Sequence, residues 1–180
     1  KEIENEENLA YQAAELLKKD QGLKHGVKIT IEKNIPLSSG LGGGSSNAGT
    51  TLLALNKLWK LKLNEKKLIK LGAELGADVP FFLSENAAFV SGIGDIIKPI
   101  KKPYKINIVL INPGFRISTK ESYKILDRYK ASKTKKLASS DMIKAMANNS
   151  IEEISDKIYN DFEEPTFKKH PILKEIKTNL

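Results

Sequence analysis

One loop constrains this chain more than any other feature: Ile35-Pro36-Leu37-Ser38-Ser39-Gly40-Leu41-Gly42-Gly43-Gly44-Ser45-Ser46-Asn47-Ala48. Upstream, Val27-Lys28-Ile29-Thr30-Ile31 alternates apolar and polar residues at the period of a half-buried strand. Downstream, Leu52, Leu55 and Trp59 recur at helical spacing. A strand, a glycine loop and a helix in that order suit an anion. Glycine admits positive φ and close backbone approach, and the first turn of a helix presents N–H groups with no intrahelical acceptor. Phosphate oxygens satisfy those groups and the helix dipole adds a favourable field. Ser45 or Ser46 can cap the helix while offering a hydroxyl to phosphate or to phosphate-bound Mg2+. The plainer alternative is a flexible turn with Ser46 as an ordinary cap. Two common nucleotide motifs are disfavoured by spacing. A P-loop ends in Gly-Lys-Ser/Thr, whereas Gly44 runs directly into Ser45. A dinucleotide fingerprint counted from Gly40 and Gly42 would need a glycine where Ser45 stands.

Along the rest of the chain, Leu9, Ala13, Leu16 and Leu17 share one face, predicting a helix from Asn8 to Lys19. A second helix is expected from about Ser46 to Trp59, and Asn64 reads as the cap of a third carrying Leu68, Leu71 and Leu75. Gly76-Ala77-Asp78-Val79-Pro80 ends it. Ala87–Val90 and Ile106–Ile111 read as strands, and the Lys and Pro stretch from Lys98 to Lys105 as a domain boundary. Helices are expected near 120–129, 139–147, 151–159 and 171–177, which makes the fold class α+β.

Composition narrows the partners. The chain has 180 residues, 40% of them hydrophobic, enough for one domain or one and a half. A net charge of +8 invites a nucleic-acid partner, but the cations are almost all lysine, Arg116 and Arg128 being the arginines, and they are scattered rather than clustered with aromatics. A solvated lysine-rich surface is expected instead, with no nucleic-acid and no membrane partner. Without cysteine there is no disulfide framework or thiolate. His25 and His170 lack ligand spacing, so no metal site is expected of them. No apolar run approaches the roughly 20 residues that span a bilayer, and no secretory segment is seen; a cytoplasmic location is expected, with a targeting segment possible ahead of Lys1.

The pattern Pro-x-x-x-Gly-Leu-Gly-x-x-Ser-Ser-x-Ala, matched from Pro36 to Ala48, resembles the phosphate-binding motif of the galactokinase, homoserine kinase, mevalonate kinase and phosphomevalonate kinase (GHMP) superfamily. Leu75-Gly-Ala-Asp-Val-Pro-Phe-Phe82 then resembles the branch whose substrate is a cytidyl diphosphate methylerythritol. Further matches are Asn8-Leu9, Ala87-Ala88-Phe89 with Gly92 and Gly94, Pro113-Gly114, Ser118-Thr119 with Tyr123, and Asn160-Asp161-Phe162-Glu163. The resemblance implies the GHMP kinase fold, with a ribosomal-protein-like N-terminal half and a partial ferredoxin-like C-terminal half. It implies an ATP-binding domain over 1–98, lacking its first strands, and a partial substrate domain over 99–180. The implied reaction is ATP-dependent phosphorylation of the 2-hydroxyl of 4-diphosphocytidyl-2-C-methyl-D-erythritol, a step of non-mevalonate isoprenoid synthesis, with Mg2+ arriving on ATP.

Phosphoryl transfer mainly needs alignment and charge neutralisation. The resemblance gives the ATP-binding role to Pro36, Leu37, Ser38, Ser39, Gly40, Leu41, Gly42, Gly43, Gly44, Ser45 and Ser46. It makes Asp78 the general base that accepts the proton of the attacking hydroxyl; on residues alone, Asp78 serves equally as a turn former. Thr119 and Tyr123 lie one helical turn apart and are assigned by resemblance to the substrate site, with the aromatic ring stacking on cytosine; capping and packing are the alternatives. Asn160 to Glu163 reads as a capping turn, with a metal-binding acidic pair as the alternative. The chain begins at Lys1, without the family's N-terminal strand and its lysine, and stops at Leu180, before the family's third glycine motif. An internal portion of such an enzyme, with weak or absent turnover by itself, is therefore expected. A sibling kinase acting on mevalonate or homoserine and a basic RNA-binding module are the competing functions. Gly49, where the family often has alanine, is expected to cost about 1 kcal/mol of helix stability.

Overall fold

A computed structural model describes residues 5–36, 39–84, 87–100, 105–115, 117–128 and 139–179. The chain divides into two compact units, Lys1–Lys101 and Lys102–Leu180. The fold class is α+β, with helices in both units and a small antiparallel sheet in the first.

In the first unit, helix α1 spans Leu9–Asp20 and is capped by Asn8, whose side chain accepts from the Ala10 N–H at 3.0 Å. Helix α2 spans Gly43–Leu58, and α3 spans Glu65–Leu75 behind Asn64, whose Oδ1 accepts from the Lys67 N–H at 2.9 Å. Each helix contributes an apolar stripe to one core: Ala13 and Leu17 from α1, Ala48, Leu52 and Leu55 from α2, Leu68 and Leu71 from α3. A 3-10 turn over Pro80–Leu83 closes that core with Val79 and Leu83. Strands β1 (Ala88–Ser91) and β2 (Ile96–Pro99) pair as an antiparallel hairpin with Ser91 opposite Ile96.

The second unit contains α4 (Thr119–Arg128), α5 (Ser139–Ala147), α6 (Ile151–Lys157), α7 (Glu163–Lys169) and α8 (Pro171–Thr178). Ser150 caps α6 by accepting from the Glu153 N–H at 3.2 Å, the spacing of a capping box. Ala145 of α5 and Ile154 of α6 are both buried, and α5 packs on α6. Helix α7 packs on α4 and α8.

Two expected strands are absent. Val27–Ile31 and Ile106–Ile111 form no ladder among the described residues. Alternation and apolarity nominate a strand, but a strand exists only when a neighbour takes its N–H and C=O groups. Ile108 and Val109 are 82% and 86% exposed, so the apolarity that nominated the second segment is not buried either. Strand β2 was not expected, because Pro99 reads as a breaker; it stands at the strand's last position, where a missing donor is tolerated. Helix α7 was likewise not expected as a helix. Of the expected boundary stretch, 101–104 lie outside the described residues.

Asp20, the last residue of α1, puts a negative charge at the negative end of a helix, and Lys67 offsets it with Nζ 2.5 Å from Oδ1. That bond holds the Asp20 carboxyl below the ordinary value of 3.8. A lowered carboxyl adds stability that is present above its unfolded value and lost as pH falls through the folded one. Asp20→Asn is therefore expected to lower stability at pH 7 by about 0.5 kcal/mol, as for other surface pairs. In thermal melts the difference from the parent should vanish as the pH is brought below that of the folded carboxyl. Leu52, fully buried at the centre of the core, sets a larger scale. Leu52→Ala should cost about 3 kcal/mol in urea denaturation, from lost transfer energy and the cavity left behind.

Candidate functional site

The glycine loop enters α2 earlier than the serines suggest. Gly42 is the N-cap, in the left-handed region at φ 66°, and no side chain caps the helix. The first intrahelical bond runs from the Ser46 N–H to the Gly42 carbonyl at 2.8 Å. Ser45 and Ser46 therefore lie within the first turn and do not cap it, which corrects the expectation from their residue type. The physical reason is Gly42: a left-handed glycine turns the chain straight into the helix, leaving the serines one turn too late. The N–H groups of Gly43, Gly44 and Ser45 have no intrahelical acceptor. Pro36, Ser39 and Leu41 are exposed beside them, and Leu37 and Ser38 lie outside the described residues.

Lys33 joins this ledge, its Nζ lying 3.0 Å from where a Cβ on Gly43 would sit, with Ile35 alongside at 3.2 Å. A cation at the positive end of a helix is unfavourable unless an anion lies between them. The lysine was missed because it is one of many in a lysine-rich chain, with nothing in its spacing to single it out.

Asp78 lies in the turn after α3, closed by a bond from the Val79 N–H to the Gly76 carbonyl at 3.1 Å. Asp78 is exposed, whereas Val79 and Pro80, the next two residues, are fully buried. The turn thus holds a carboxylate in solvent on a backbone anchored in the core. Phe82 ties this region to the loop. A Cβ on Gly42 would fall 2.8 Å from Phe82 Cζ, and one on Gly49 would fall 3.3 Å from the Phe82 carbonyl carbon. The ring rests on the loop and the backbone on α2, so the two sequence motifs belong to one packed arrangement.

In the second unit, Thr119 opens α4 and Tyr123 follows one turn later. Tyr123 is 55% exposed and meets Phe162 edge-on, with centroids 5.0 Å apart at 86°. The Ser118 hydroxyl accepts from the Glu121 N–H at 3.4 Å, so the capping alternative holds for Ser118. Lys169 of α7 pairs with Glu121 and holds its carboxyl below the usual range. Asn160 to Glu163 form a capping turn as expected: Asn160 Oδ1 accepts from the Phe162 N–H at 3.0 Å. Its acids are engaged, Glu163 by Lys177 at 2.6 Å and Asp161 by the Tyr159 hydroxyl, whose pKa is raised by that bond. Among the described residues no group of His, Asp and Glu is arranged to hold a metal ion, and no helix is long and apolar enough to cross a membrane.

Comparison with known proteins agrees with this geometry. Residues 8–86 match the family model described as the GHMP kinases N terminal domain. The chain is 47% identical over 177 residues to the 4-diphosphocytidyl-2-C-methyl-D-erythritol kinase of Syntrophus aciditrophicus, covering 98% of this chain and 61% of that protein. It is 40% identical over 180 residues to the enzyme of the same name from Thermodesulfovibrio yellowstonii, covering 99% and 63%. A solved structure of 4-(cytidine 5'-diphospho)-2C-methyl-D-erythritol kinase superposes with a TM-score of 0.74 at 34% identity, over 98% of this chain and 62% of that one. The chain thus spans about three fifths of the length of these relatives. Motif, backbone and relatives coincide: residues 8–86 match the GHMP kinases N terminal domain, and nearly the whole chain is similar to kinases of that kind.

Proposed function

We propose that the protein phosphorylates the 2-hydroxyl of 4-diphosphocytidyl-2-C-methyl-D-erythritol with ATP. The observation that carries the reading is the packing of an uncapped glycine helix start against the ring of Phe82, which lies in the 3-10 turn that follows Asp78. Relatives with that activity, as their names state it, support the choice of alcohol. In this reading residues 1–98 form the ATP-binding domain and 99–180 part of the substrate domain, acting in the cytoplasm, where ATP is supplied.

The donor set fits a polyphosphate: helix-start N–H groups at Gly43, Gly44 and Ser45 without an intrahelical acceptor, a lysine ammonium beside them, and no side chain capping the helix at Gly42. ATP, when bound with Mg2+, supplies the phosphoryl group and part of the charge neutralisation. Gly42 to Ser46 and Lys33 bind and orient the phosphates, and the hydroxyls of Ser45 and Ser46 would hold the accompanying cation. Asp78 orients the attacking hydroxyl and accepts its proton at the carboxylate as the oxygen–phosphorus bond forms. Its buried neighbours keep the carboxylate on a fixed backbone, which phosphoryl transfer needs more than it needs covalent help. Tyr123, with more than half its surface open, offers a ring for cytosine, and Thr119 is assigned to the same substrate site by the family motif.

Release of ADP by the full-length protein tests the reading, with the cytidyl alcohol offered beside mevalonate and homoserine. Selective turnover of the cytidyl alcohol is expected, and Asp78→Asn should lower kcat by about 10²- to 10⁴-fold, the usual share of a positioned base. Turnover of another alcohol would move the activity to a sibling kinase, and salt-sensitive RNA binding without turnover would replace the kinase reading altogether. Lys33→Gln is expected to raise the KM for ATP roughly tenfold, about 1.4 kcal/mol of binding, with little change in kcat.

A further inference from the structure

The β1–β2 hairpin turns through Gly92-Ile93-Gly94-Asp95, and its tip is pressed against the backbone that carries Asp78. A Cβ on Gly94 would fall 2.0 Å from the Ala77 carbonyl oxygen, 2.8 Å from its carbonyl carbon and 3.2 Å from its Cα. These are backbone atoms of the residue immediately before Asp78, so no side-chain rotation relieves the clash. Gly94 also lies at φ +102°, where other residues are strained. Glycine is required here on two counts, conformation and space. On the far side of Asp78, Val79 and Pro80 are buried in the helical core. The Asp78 peptide is therefore held from both ends, by the core after it and by the hairpin before it.

We infer that the hairpin tip, through Gly94, is a positioning element for Asp78, setting the carboxylate where it meets the attacking hydroxyl. The inference rests on the assignment of Asp78 as base. The hairpin makes no contact with substrate in this role; it fixes the Ala77 carbonyl and thereby the orientation of the next peptide. Misplacement of a catalytic group by about 1 Å is enough to cost about a hundredfold in rate. Gly92 provides an internal control. It too has positive φ, +70°, and a Cβ there would meet Asp95 Oδ1 at 2.4 Å, but none of its close contacts is to Ala77. Substitution at Gly92 strains the same hairpin and displaces the Asp95 carboxylate, but it puts no atom against the Asp78 peptide, so its effect on kcat is the smaller of the two.

The test compares Gly94→Ala with Gly92→Ala in the full-length protein, measuring kcat, the KM for ATP and the melting temperature. Gly94→Ala should lower kcat at least tenfold more than Gly92→Ala, with the KM for ATP unchanged because the glycine loop is untouched. In an Asp78→Asn background, Gly94→Ala should reduce the residual turnover by less than threefold. Equal losses from the two glycines, or a Gly94→Ala loss that is undiminished in the Asp78→Asn background, would overturn the positioning role while leaving Asp78 as base. Full turnover by Asp78→Asn would overturn the base assignment and this inference together. Should Gly94→Ala fail to fold, Asp95→Ala decides: Asp95 Oδ1 accepts from the Ile93 N–H at 3.2 Å and braces the same tip. A fall in kcat of threefold or more at constant KM supports the role, and an unchanged kcat overturns it.

Discussion

The close approach of helix α2 to the Pro80–Leu83 turn is the contact on which the first unit depends. Ala48, Leu52 and Leu55 form a buried stripe on that helix, and Gly49 beside them lets the backbone of Phe82 come near. A methyl group at Gly49 would meet Phe82 Cβ at 3.0 Å, tighter than ordinary packing. The helix forgoes about 1 kcal/mol of propensity at this position, and gains a seat against the turn that a larger residue would lift. Since α2 begins at the glycine loop and the turn follows Asp78, the seat also fixes the spacing of the two motifs.

The Asp78 turn illustrates how a small domain keeps a charged group in water on a rigid support. Nothing holds the carboxylate by burying it. Its neighbours are held instead, Val79 and Pro80 by the helical core and Ala77 by the hairpin tip. The loop is short and closed by its own backbone bond, so motion at the carboxylate requires motion of packed elements. The second unit uses a different device. Tyr123 is exposed, and the edge of an aromatic partner and an ion pair two residues away tie its helix to α7.

How far the sequence could be read depended on the range of the interactions involved. Helix starts at Asn8 and Asn64 were legible because a cap is a local bond between a side chain and the next turn. The glycine loop was legible from its own residues, whereas Asp78 stood out only through the family resemblance, since its residue type suits a turn equally. Strands at 27–31 and 106–111 were misread because pairing is a property of a neighbour that the segment itself does not contain. The serines misled about the start of α2, since a left-handed Gly42 overrode their preference for capping. Lys33 carries no mark in its residue type, and Phe82 and Gly94, though part of the matched motifs, act through what they touch across the fold.

Lys33 has one more consequence. Its ammonium and the start of α2 are like charges held side by side, an arrangement that repels without an anion and attracts through one. Dissolved salt screens both situations, over a distance of about 8–10 Å at moderate ionic strength. It relaxes the repulsion when no anion bridges the pair and weakens the attraction when one does. With phosphate bound as proposed, ionic strength steadies the unliganded loop and loosens the liganded one, so the same ions that calm the protein at rest would compete with its work.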